Sequence, residues 1–90
     1  MNLKDLIQSI DSRIEIIDFY AKKSFFGVMI DFLSFKIGTH YYLASESNNN
    51  YIITEQTPDG SKDISAPIAM KKERLKVHIE SLIKKNLIVN

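Results

Sequence analysis

Residues 40–56, HYYLASESNNNYIITEQ, decide the fold. His40–Glu46 and Tyr51–Gln56 are short β-prone runs, and Ser47-Asn48-Asn49-Asn50 separates them. Asparagine tolerates left-handed backbone angles and bonds its own backbone, so the spacing predicts an antiparallel hairpin. The next connection, Thr57-Pro58-Asp59-Gly60, is a second turn. Pro58 presets φ, Asp59 suits the third position, and Gly60 can take positive φ. A short edge strand over 61–66 is expected to follow, completing a meander of three or four strands.

Upstream, residues 25–37 read FFGVMIDFLSFKI. Phe26, Val28, Ile30 and Phe32 alternate, and then Leu33, Phe35 and Ile37 alternate out of phase with them. A bulge near Phe32–Leu33 accounts for the slip, because one extra residue exchanges the faces of a strand. β-branched and aromatic enrichment favours strand, with a short buried helix as the alternative. Residues 2–18 read as a helix. Leu3, Leu6, Ile7, Ile10, Ile14, Ile17 and Ala21 fall on one arc of roughly 100°, with Asn2 as N-cap and Asp5 near the positive end of the helix dipole. A second helix starts between Ser65 and Lys71, with Pro67 in its first turn, and ends near Asn86. Its apolar stripe is Leu75, Ile79, Leu82 and Ile83. Leu87-Ile88-Val89 is expected to fold back on the core or add a short strand. The resulting order is α-β-β-β-(β)-α, an α+β domain spanning 1–90 with both helices on one face of an antiparallel meander.

Ninety residues with 44% apolar and 26% charged side chains suit one folded domain with one core. The charge is unevenly divided. Residues 1–66 hold six Lys/Arg against nine Asp/Glu, a net of −3, whereas residues 67–90 hold six against two, a net of +4. Lys71, Lys72, Arg74, Lys76, Lys84 and Lys85 make the second helix basic and are the candidate partner-binding residues. Such an asymmetry points to an anionic partner or an acidic protein surface. The N-terminus lacks the apolar run of a signal peptide and no stretch is long enough to span a bilayer, so a cytoplasmic protein without membrane contact is expected.

The chain has no cysteine, which excludes disulfides, thiolate catalysis and cysteine-bound metal. Its histidines, His40 and His78, have no paired-ligand spacing, so neither metal nor cofactor is expected. A nucleophile elbow and a glycine-rich phosphate loop are both missing. Asp11 and Glu15, one helical turn apart, read as solvated surface, and His78 as a boundary residue. Gly38-Thr39-His40 opens a strand, a meander follows, and the chain closes on HIESLIKKNLI. This order resembles the HicA family of small toxin ribonucleases, whose double-stranded-RNA-binding-like fold has a Gly-Ser-His entry to a strand and a closing helix. The resemblance implies RNA cleavage with His40 as the acting histidine. Thr39 stands where that family has serine, and residues 25–37 have no counterpart in its pattern.

Two functional readings follow. The first is a small non-enzymatic interaction protein, an inhibitor, immunity factor or regulatory subunit, binding a protein partner through its surface. The alternative is a nucleic-acid-binding domain using the basic helix, with the ribonuclease version centred on His40. In that alternative, Tyr41, Tyr42 and Tyr51 are available to stack on unpaired bases.

Overall fold

The computed structural model describes residues 2–87. The order is α1 (Leu3–Gln8), β1 (Glu15–Lys23), β2 (Met29–Ile37), β3 (His40–Ser47), β4 (Asn50–Gln56), β5 (Ile68–Lys71) and α2 (Lys72–Leu87). The five strands form one antiparallel sheet in chain order. This is the α+β arrangement expected, with a helix at each end of a meander, and the sheet gains a strand.

The extra strand comes from the segment expected to extend the first helix. Asn2 caps α1 as its side-chain oxygen accepts from the Asp5 amide at 2.8 Å, and Leu3 and Ile7 are buried. The helix then stops. Asp11 accepts from both the backbone amide and the guanidinium of Arg13. These bonds bend the chain and hold the Asp11 carboxyl down at about 2. A short polar side chain that bonds its own backbone competes with helix. Beyond it, Glu15–Lys23 is rich in β-branched and aromatic residues and pairs with β2. Asp11 therefore stands in the connection between α1 and β1, and Glu15, the first residue of β1, pairs with Lys36.

The bulge also lies elsewhere than expected. β2 is continuous, and the extra residue is Ile17 of β1, between the pairs Ile16–Phe35 and Asp18–Ser34. The change of phase within 25–37 has another cause. Phe25 to Val28 form a turn, after which β2 carries apolar residues on both faces, Ile30 and Phe32 on one, Leu33, Phe35 and Ile37 on the other. Both helices cover the second face. Its core comprises Leu33, Phe35, Ile37, Tyr42, Ala44, Tyr51 and Ile53 from the sheet, Leu3, Ile7 and Ile14 from the N-terminal segment, and Leu75, Ile79 and Ile83 from α2. Phe35 and Tyr42, directly opposite in register, stack with centroids 5.5 Å apart.

The turns follow the residues that form them. Asn48 and Asn49 take φ of 51° and 61° in the two-residue turn between β3 and β4, the left-handed pair such hairpins need. Gly38, at φ 62°, opens the two-residue turn between β2 and β3, and a β-carbon there would meet the Leu87 side chain at 3.1 Å. The end of α2 thus rests on this turn. In the Thr57–Gly60 turn, the Gly60 amide donates to the Thr57 carbonyl at 2.8 Å and Gly60 has φ 74°. Hydrogen bonds from Thr57 and Ser61 hold the Asp59 carboxyl down at about 2.

No strand forms over 61–66. A single bridge joins Asp63 to Gln56, and the Ser65 hydroxyl accepts from the Glu55 amide. Pro67 follows, without an amide to donate. The edge strand is Ile68–Lys71, and α2 begins directly after it. Leu87 ends α2 and packs on the core, while the expectation for Ile88 and Val89 lies outside the described residues.

Phe35→Ala should cost about 3–5 kcal/mol, a large share of the stability of a small domain. Val77→Ala, on the exposed side of α2, should be neutral or slightly stabilising because alanine is the better helix former. Urea denaturation of the two variants checks the facing of both elements.

Burial, with the carboxylate of its cross-strand partner Glu46 close by, pushes the Tyr51 hydroxyl up to about 12. Above its ordinary value of 10 the unfolded chain loses this proton and the folded chain keeps it. Stability should therefore fall as pH rises from 10 towards about 12. Thermal midpoints across this window should fall less steeply in Tyr51→Phe than in the parent chain.

Candidate interaction surface

The six basic candidate residues are exposed, and none pairs with a described acidic side chain. They do not form one face. Lys71 ends β5 and donates to the Asn50 side-chain oxygen at 2.6 Å. At 100° per residue, Lys72 and Lys76 lie on one flank of α2, Arg74 and Lys85 on the other, and Lys84 points outward between them. Lys72 and Lys76 border a cleft of about 440 Å³ floored by Leu6, Ile10 and Leu75. Arg74 lies over β5 beside Val77 and His78. Glu73 and Glu80 interrupt the cations on the side of Lys72 and Lys76.

The tyrosines divide between the two faces of the sheet. Tyr42 and Tyr51 are buried beneath the helices, where Tyr42 accepts from the Asn86 side-chain nitrogen at 2.6 Å and anchors the end of α2. Both are therefore withdrawn from any stacking role. Tyr41 alone of the three lies on the open face.

His40 is the first residue of β3, directly after the Gly38-Thr39 turn. Its Nδ1 is 2.9 Å from a Glu55 carboxylate oxygen, and the imidazole is the more exposed of the two side chains. Burial lowers the pKa of His78 and favours its neutral form. His78 and Glu55 border a small pocket of about 130 Å³ that also includes Lys85. Among the described residues no group of three or more His, Asp or Glu gathers as metal ligands.

The strongest feature of the surface lies at the far end of the β1–β2 hairpin. β2 pairs with β3 only from Asp31 onward, so Met29, Ile30, their partners Lys23 and Lys22, and the turn project past the rest of the sheet. The turn is built locally. The Gly27 amide donates to the Ser24 carbonyl, the Ser24 amide donates to the Val28 carbonyl, and the Ser24 hydroxyl accepts from the Val28 amide. Gly27 supplies φ 82°. Phe25 and Phe26 occupy the two central positions, 97% and 88% exposed, with their rings edge to face at 5.5 Å. Val28 and Met29 are exposed beside them. Residues 22–30 contain two lysines and no acid. The sequence carried a signal for this turn, Ser24 and Gly27 bracketing Phe25-Phe26, but apolar alternation made the segment read as strand.

No family model matches the chain, and neither a curated protein nor a solved structure matches it. Among the described residues no helix is long and apolar enough to cross a membrane.

The His40–Glu55 pair is partly exposed, and such pairs contribute little. Glu55→Gln, which leaves a neutral hydrogen-bond partner in place, should cost less than about 1 kcal/mol. A loss above about 2 kcal/mol in chemical denaturation would instead make this pair a principal clamp between β3 and β4.

Proposed function

We propose that this chain is a non-enzymatic interaction protein, an inhibitor, immunity factor or regulatory subunit, that docks on a protein partner by inserting the β1–β2 hairpin tip into an apolar pocket. The observation that carries this reading is the near-complete exposure of two adjacent phenylalanines on a turn held rigid by its own hydrogen bonds. A fold with an ample core has no internal use for them, and exposed aromatic clusters mark interaction sites. Aromatic anchors that fill a partner's pocket dominate binding energy. Lys22 and Lys23 flank the anchor, so the complementary pocket has acidic groups on its rim. The cations of α2 stand on opposite flanks, and their role in this reading is long-range steering of an acidic partner.

The test is capture from the native host with immobilised chain. Phe25→Ser with Phe26→Ser should abolish capture of the partner and leave the thermal midpoint within about 2 °C, because neither ring contributes to the core. Lys76→Glu with Lys84→Glu should slow association at low salt and leave the complex intact once formed. Undiminished capture by the phenylalanine double variant would overturn the proposal. Co-sedimentation of the parent chain with vesicles of anionic phospholipid, lost in that same variant, would reassign the tip to a lipid surface.

A further inference from the structure

Among the described residues no helix or strand covers the face of the sheet opposite the helices. It presents Tyr20 and Lys22 from β1, Phe32 and Lys36 from β2, Tyr41 from β3 and Lys71 from β5, as the strand register requires. Tyr20 and Phe32 are directly opposite each other and stack at 5.3 Å with planes 14° apart, an aromatic pair that spans two strands. The Lys22 ammonium lies 5.5 Å from the Tyr20 ring centroid. Tyr41 repeats the arrangement, opposite Lys36, whose ammonium lies 5.8 Å from its ring. Phe32 and Lys36 are four positions apart on β2, so the two aromatic stations are about 14 Å apart along the strand. Beside Tyr41 the Thr57–Gly60 turn walls a pocket of about 130 Å³ that includes Ser34.

From this pairing of rings and cations we infer that the open face of the sheet binds single-stranded nucleic acid, stacking unpaired bases on Tyr20–Phe32 and on Tyr41 and holding phosphates with Lys22, Lys36 and Lys71. Stacking is open to any base because every base has a π-face. In the complex each lysine leaves the ring face to the base, and its flexible side chain carries the ammonium to the adjacent phosphate. The acids on this face are Glu15, already engaged by Lys36 at 3.6 Å, Asp18, and Asp63, which lies opposite Gln56 and accepts from its side-chain nitrogen at 3.1 Å. Asp59, at the rim of the pocket beside Tyr41, has its carboxylate occupied by Thr57 and Ser61. Base pairing hides the surfaces that the rings recognise, so duplexes are excluded. The site shares no aromatic ring with the hairpin tip and does not depend on the partner proposed for it.

Fluorescence anisotropy with labelled oligo(dT) and oligo(U) of about twelve nucleotides, a length within the usual site size, tests the inference and separates DNA from RNA as the ligand. The chain has four tyrosines and no tryptophan, so quenching of its intrinsic emission reports stacking directly. Binding should weaken steeply with salt. Tyr41→Leu, which keeps an apolar side chain and removes the ring, should weaken binding about fivefold or more. Lys22→Gln with Lys36→Gln should flatten the salt dependence and weaken binding more than Lys76→Gln with Lys84→Gln, which removes the same charge from α2. Absence of binding to both oligonucleotides at about 50 mM salt, equal affinity for a duplex, or greater loss in the α2 variant would each overturn the inference.

Discussion

The burial of Leu33, Phe35 and Ile37 beneath both helices is the constraint on which the rest of the structure depends. With a side-chain period of two, committing these three residues to the core sends Phe32, Ser34 and Lys36 to the other side. The pairing register then carries that decision across the sheet. Opposite Phe35, Tyr42 goes inward and stacks on it. Opposite Lys36, Tyr41 goes outward. The bulge at Ile17 lets β1 enter with Ile16 towards the helices and continue with Phe19 on the same side, although two residues intervene. Without that extra residue, one half of β1 would turn its apolar side chains to solvent.

The register also determines what is left over. Among the described residues helices cover one face of the sheet only, which antiparallel sheets tolerate when the other face is mixed in polarity. Here the uncovered face is partly aromatic, and its lysines lie over the rings. At the far end, the β1–β2 hairpin outruns its neighbour β3, so its turn has no core to join. Phe25 and Phe26 are exposed because of where the hairpin ends, and the short hydrogen-bonded turn keeps them from folding back. The tip gathers Phe25, Phe26, Val28 and Met29 in one exposed apolar cluster, whereas the other exposed apolar side chains, such as Ile64, Ile68 and Val77, are scattered.

The basic helix takes on a different meaning in three dimensions. Its charge surplus belongs to the segment, and docking the Leu75–Ile79–Ile83 stripe on the sheet splits that surplus around the helix circumference. Lys72 and Lys76 look towards α1, and Arg74 and Lys85 towards β5 and the β4 edge. A divided field of this kind can guide an approaching acidic surface. His40 sits at a strand entry with Glu55 beside it, and the Gly38 turn that precedes it is packed by the end of α2.

Much of the fold was legible in residue order. The Asn48–Asn49 turn, the Gly60 turn, the Asn2 cap and the stripe of α2 each rest on chemistry within a few positions, so local reasoning reaches them. The helical pattern assigned to residues 2–18 held only through Gln8. Its apolar spacing is equally compatible with a short helix, a turn closed by Asp11 and a strand, and only a partner strand in β2 decides between them. Of the candidate site, the basic residues were visible as composition, whereas Phe25 and Phe26 were hidden inside an apolar run. Exposure is a property of neighbours, and no described element packs over these two rings. The sequence by itself determined the α+β order, the turns and the separation of charge. The tertiary structure decided which face each tyrosine occupies and that the hairpin tip stands free, because strand register is a long-range pairing that no local pattern specifies.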